Sequence, residues 1–368
     1  MKDGEKELAY WMALAHAEKV WTRRKNEIIV DFYLQGKSII DMFSADVDDW
    51  RNVYKIREDE IPLLLDAKQR VPNYSFDAED LLNQGYDITP ITYKGYPEML
   101  KRNLKYNAPI LVYSRGNKEL LNRRCVAIVG SRKAKEISLG FTANMAKRAV
   151  AEGSVVVSGY AKGVDRQALE AAVDNGGSSI IVLPQGISTF STGFRQLHKY
   201  MVEGRLLVMS VYLPKAPWSV ALAMARNTLI YAMAEDIYVA ESDATGGTFA
   251  GATDGIRRGR TIYVRKPEDG EHNANMQLVE MGAKAVDAEG NVVEGVKTGR
   301  DTLVDGIQEL LKRAPRTAKE LAKILLSDDG RKSQDKIRSI IKDMKDVEQM
   351  PRKKPVTYTL KGAAPELF

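Results

Sequence analysis

Two short segments hold residue types at spacings suited to gripping an anion. Gly130-Ser131-Arg132 ends the apolar run Val126-Ala127-Ile128-Val129, and Ser158-Gly159-Tyr160-Ala161-Lys162-Gly163-Val164-Asp165 ends Val155-Val156-Val157. In each, glycine allows a sharp exit from a strand, a hydroxyl stands beside it, and a cation follows. Backbone N–H groups at the head of a helix, a small hydroxyl and a guanidinium or ammonium are what phosphate oxygens need. Gly130-Ser131-Arg132 alone is a weak signal, equally a tight turn with an exposed Arg. The second segment is more specific, because Gly159 and Gly163 flank Lys162. Asp165 is placed to cap the helix that follows. Tyr160 suits either stacking on a base or filling the top of a sheet.

Two further segments fit the same chemistry. Arg226-Asn227 reads as a helix start, with Arg226 directed at the pocket and Asn227 capping. Thr245-Gly246-Gly247-Thr248 is a Gly-rich turn opening another helix. No Gly-x-Gly-x-x-Gly follows the first strand and no Gly-Lys-Ser/Thr loop exists, which argues against a dehydrogenase or a P-loop NTPase. His16, His198 and His272 lie far apart, and Cys125 is the single cysteine. No metal cluster or nucleophile–base pair can be read, so no catalytic residue, metal or cofactor is expected. Cys125, at a strand start, reads as a packing residue.

Alternating elements must position these turns. Apolar strands are expected at 125–129, 154–158, 179–183, 206–209, 236–240 and 261–264, separated by helical stretches long enough for parallel crossovers. That pattern predicts an α/β doubly wound, mostly parallel sheet over residues 85–290, binding its ligand beyond the strands' carboxyl ends. An extended edge segment, Tyr86–Tyr93, and a strand over Ala108–Gly116 ending in a turn lead into it. Residues 1–84 read as a helical domain. After a polar, Gly-containing linker, residues 300–368 read as three helices (about 302–313, 317–326 and 333–346) and a strand at 356–360, a winged-helix-like domain.

The chain has 368 residues, 55 Lys and Arg against 49 Asp and Glu, and a net charge of +6, which permits a nucleic-acid partner without demanding one. Lys336, Arg338, Lys342, Lys345 and Arg352-Lys353-Lys354 make the C-terminal stretch basic, though acidic residues intersperse it. No apolar run is long enough to cross a bilayer, and one cysteine fits a reducing compartment, so a cytoplasmic location is expected.

The ordered series resembles the DNA-processing protein A family, also called DprA or Smf. It comprises Val126–Arg132, Val157–Asp165, Ile181-Val182-Leu183-Pro184-Gln185-Gly186, Ala225-Arg226-Asn227-Thr228-Leu229-Ile230, Val239-Ala240-Glu241 leading to Thr245–Thr248, and Gly259–Val264. The resemblance implies an extended Rossmann-like domain, a SAM-like helical start, homodimerisation, single-stranded DNA binding and loading of the RecA recombinase, with no catalytic reaction. By position it places Gly130, Ser131, Arg132, Ser158, Gly159, Lys162, Gly163, Arg226 and Asn227 around DNA phosphate; the residues themselves add Gly246, Gly247 and Thr248. Leu169, Ser210-Val211, Thr228 and Thr245–Thr248 depart from the family pattern and mark a divergent member. The alternative is a nucleotide-binding sensor or nucleotide-processing protein, in one version serving phage defence.

Overall fold

The computed structural model describes residues 3–295, 299–350 and 354–361. Two compact units divide the chain, Met1–Val292 and Val293–Phe368.

The first unit is built on nine strands: β1 (Asp87–Pro90), β2 (Leu111–Gly116), β3 (Cys125–Val129), β4 (Val155–Ser158), β5 (Ser179–Val182), β6 (Leu206–Ser210), β7 (Asp236–Val239), β8 (Ile262–Arg265) and β9 (Lys284–Val286). Their spatial order is β1-β2-β6-β5-β4-β3-β7-β8-β9. β1–β2 and β2–β6 pair antiparallel; every other pair is parallel. β3 to β6 are buried at every residue, which is why they read as unbroken apolar runs rather than alternating ones. Alternate residues of β3 serve opposite faces. Val126 and Ile128 pack with Phe141, Met145 and Ala168 from the helices Glu136–Ala151 and Val164–Asp174. Cys125, Ala127 and Val129 pack with Leu229, Ile230 and Met233 of the helix Val220–Met233. Pro90 sits on the edge strand, where its missing N–H costs no ladder bond. All six expected parallel strands form. β9 was not anticipated, because three residues carry no usable period.

The chain runs outward from β3 through β4 and β5 to β6, then returns to place β7 on the other side of β3. Crossovers therefore diverge between β3 and β7. This is the switch point at which such sheets open a crevice.

Six helices between Asp3 and Asn83 precede the sheet. Trp11, Phe32, Phe43 and Trp50 share one apolar cluster with Ile110, Leu111, Tyr113, Leu206 and Val208 of the sheet. Residues 1–84 and the sheet thus bury a common core.

The second unit has helices Gly299–Arg313, Ala318–Leu326 and Arg331–Asp343 and an antiparallel sheet ordered Arg316–Thr317, Thr357–Leu360, Val347–Gln349. Leu303, Ile307, Leu321, Ile337, Ile341 and Tyr358 form its core. The third helix stops at Asp343, before the expected 346, because Met344 turns extended and Val347 must enter the sheet. Residues 296–298 of the expected linker, and Arg352 and Lys353 of the basic stretch, lie outside the described residues. Among the described residues no helix is long and apolar enough to cross a membrane.

Candidate nucleic-acid interface

A cavity of about 400 Å³ opens at the carboxyl ends of β3 and β7, within the size range of small-ligand sites. Gly130, Ser131 and Arg132 line it from the end of β3, and Gly246, Gly247 and Thr248 from beyond β7. Arg226 and Asn227 line it from the helix Val220–Met233, joined by Trp218, Val220, Ala223 and Met224. Ser158, Gly159, Lys162 and Gly163 are not on its wall, although Ala161 and Asp165 of the same segment are.

Each loop takes its shape from a specific contact. The Ser131 N–H donates to the Glu241 carbonyl (2.9 Å), tying the end of β3 to the end of β7. The buried Glu241 carboxylate accepts from the Ser138 hydroxyl (2.6 Å) and the Lys135 N–H (3.1 Å), so it holds the loop after Arg132 from beneath. Arg265 donates to the same Ser138 oxygen (3.0 Å) and twice to Glu271 at 2.8 Å. Those bonds from Arg265 hold the Glu271 carboxyl below the usual carboxylate range. Glu241 escaped the sequence reading as a site residue; its position directly after an apolar strand was the available signal.

The second loop is packed rather than open. Ser158 is buried and its hydroxyl donates to the Ile128 carbonyl (3.0 Å), so it braces β4 against β3 instead of facing a ligand. A Cβ on Gly159 would lie 1.4 Å from the Arg226 Nη1, so this glycine makes room for a guanidinium. Gly163, at φ +85°, brings its backbone so near the first loop that a Cβ would lie 2.5 Å from the Ser131 carbonyl oxygen. Tyr160 turns away from the cavity, edge-on to Phe190 with the Arg166 guanidinium over its ring.

Two capping expectations are corrected. Gly163, not Asp165, is the N-cap of the helix Val164–Asp174. Burial raises the Asp165 pKa, while Arg226 and the N–H groups of Ala161 and Gly159 oppose that rise. Its carboxylate therefore serves the loop behind it rather than the helix ahead. Arg226-Asn227 sits inside a helix rather than at its start. That helix begins at Val220, where the Ser219 hydroxyl accepts the Leu222 N–H (3.1 Å) and an Ala-rich run propagates it.

Arg226 is only 3% exposed. Its Nη1 donates to the Val182 carbonyl (2.9 Å) and lies 4.0 Å from Asp165, yet its Nε has no partner. Burial lowers its pKa from the ordinary arginine value, and the charge of Asp165 only partly offsets this. That orphaned donor lies below the surface and is a cost carried by the packing of Arg226 against Gly159. The helix Gly247–Arg257 presents an unmet demand at the cavity. Its N-cap, Gly246 at φ +109°, supplies no side-chain acceptor, so the first-turn N–H groups remain free for an anion. Arg132, Lys133 and Lys162 are exposed, and among the described residues none pairs with their side chains. Burial pushes the Cys125 thiol up to about 12, consistent with a packing role.

The sequence profile described as DNA recombination-mediator protein A matches residues 87–297, more than half of the chain. The chain belongs to this family. It is 30% identical to the DNA processing protein DprA of Streptococcus pneumoniae over 183 residues, 49% of this chain and 64% of that protein. It is 26% identical to DprA of Bacillus subtilis over 207 residues, 55% of this chain and 69% of that protein. By sequence the chain thus spans a little under two thirds of the pneumococcal relative. The crystal structure of that pneumococcal DprA shares the fold, with TM-score 0.61 and 23% identity over 83% of this chain and 99% of the other. One departure from the family pattern has a local account. Leu169, which stands where the family pattern has His, is 1% exposed in the core, where an imidazole would be desolvated.

Proposed function

We propose that this member of the DNA recombination-mediator protein A family binds single-stranded DNA at the β3–β7 cavity, gripping its phosphates without doing chemistry on the strand. The observation that carries this reading is a wall on which Arg132 and Lys133, exposed and without a side-chain partner among the described residues, stand beside an uncapped helix N-terminus. All three demands are met by one acceptor-rich anion. Of the twelve residues Gly130, Ser131, Arg132, Ser158, Gly159, Lys162, Gly163, Arg226, Asn227, Gly246, Gly247 and Thr248, nine take distinct roles. Arg132, Arg226 and the Gly246–Thr248 turn meet phosphate. Ser158, Gly159 and Gly163 shape the loops, and Lys162 adds charge from beside the cavity.

Fluorescence anisotropy of labelled oligo-dT over a salt series, with matched duplex as competitor, tests the proposal. Salt-sensitive binding that duplex competes for poorly is expected; no binding at low salt refutes it. Homodimerisation, RecA loading and a winged-helix role for residues 300–368 extend the proposal. Light scattering, strand-exchange assays with RecA and duplex titration address them in turn.

A further inference from the structure

Trp218, Val220 and Met224 are 49%, 67% and 42% exposed, and all three line the cavity that holds Arg132, Lys133 and the Gly246–Thr248 turn. Water gains nothing from such a wall. An apolar, flat ligand group does. The Trp218 ring has no aromatic or cation partner among the described residues, whereas Tyr160, Phe190 and Phe194 are engaged with one another and with cations.

The backbone under Trp218 is held on both sides. The Ala216 carbonyl accepts the Gly186 N–H (2.9 Å), and the Ala216 N–H donates to the Leu213 carbonyl (2.8 Å). One residue beyond Trp218, Ser219 caps the following helix through the Leu222 N–H. Val220, Ala223, Met224 and Asn227 then follow at helical spacing along one face, each lining the cavity. The indole therefore stands on a pre-ordered segment, which lowers the entropy lost on stacking.

We infer that Trp218, with Val220 and Met224, is a base-stacking wall, so that the cavity takes a whole nucleotide unit, phosphate and unpaired base together. This rests on the single-strand reading above and adds to it. A paired base has both faces covered by its neighbours; only an unstacked one reaches the indole, which favours single strands over duplex.

The test uses the full chain carrying Trp21→Phe. Trp11 and Trp50 are 2% and 1% exposed and Trp21 is 82% exposed, so this change leaves Trp218 as the one exposed indole. Oligo-dT is expected to quench its emission, and an abasic deoxyribose-phosphate chain of equal length is not. Trp218→Ala is expected to weaken oligo-dT binding roughly fivefold or more, the lower end for one base–aromatic stack, while leaving abasic binding unchanged. Trp218→Phe should restore most of the loss. Equal oligo-dT affinity in Trp218→Ala and the parent overturns the inference even if the strand binds. Failure of both polymers to bind would refute the single-strand reading instead. Quenching by thymidine monophosphate in that case supports the wall and assigns it to a free nucleotide, and no quenching refutes both.

Discussion

Replacing the unpaired cations tests the proposed interface through its salt dependence. Arg132 and Lys133 line the cavity, Lys162 is exposed on the adjoining loop, and none of the three side chains has a partner among the described residues. A cation with no internal partner releases a counterion from the strand when it meets phosphate, adding about 0.7 to the slope of log affinity against log salt for single strands. Three such cations contribute a slope of about 2.1, a loss of roughly eighteenfold between 50 and 200 mM salt. Arg132→Ala should lower that contribution to about 1.4, or roughly sevenfold over the same range, and the triple Ala variant should remove it. The assay is oligo-dT anisotropy at four or more salt concentrations for each variant, with circular dichroism to confirm the fold. Surface substitutions of unpaired cations leave stability nearly unchanged, so a lost slope reports binding rather than unfolding. An unaltered slope in the triple variant would refute the assignment of these residues to phosphate.

Three other outcomes follow from the structure. Gly163→Ala should destabilise the first unit by about 1–3 kcal/mol in chemical denaturation, since φ +85° is strained for alanine and the Cβ meets immovable backbone at Ser131. Wild-type stability in that variant would mean the two loops can part freely. Burial, aided by the charge of Lys25, holds the His16 imidazole at about 3 against an ordinary 6.5. Between those values the unfolded chain binds a proton that the fold refuses, so stability falls as pH drops through that window. The loss is about 1.6 kcal/mol from pH 6.5 to 5, and His16→Gln should flatten it in urea titrations at the two pH values; an equal pH dependence in both proteins would count against it. Truncation after Val292 should leave oligo-dT affinity in place while abolishing any duplex affinity carried by Lys336, Arg338, Lys342 and Lys345, read by anisotropy on both substrates. Loss of oligo-dT binding on truncation would relocate the main interface.

The primary sequence determined the frame of this protein. β3 to β6 were legible because a strand buried on both faces must be apolar throughout, and the turns after β3 and β7 were legible because Gly-rich exits leave a mark at fixed positions. The site was legible as a set of anion-seeking residues, but their individual roles were not. Ser158 and Arg226 have the same hydrogen-bonding chemistry whether they face a ligand or the core. Only the packed structure turns Ser158 inward to Ile128, slots the Arg226 guanidinium against Gly159, and leaves Nε without a partner. Trp218 carried no local signal, since one aromatic among prolines reads equally as filler. Its exposure on the cavity rim follows from how residues 212–219 cross over Gly186 and Ser188. The shared core of the N-terminal helices and the sheet was likewise hidden, because an apolar helix face shows that it must be covered without showing by what. Periodicity and turn chemistry are local and survive in the order of residues. Which polar group meets which across diverging crossovers depends on distances that exist only once the chain has folded.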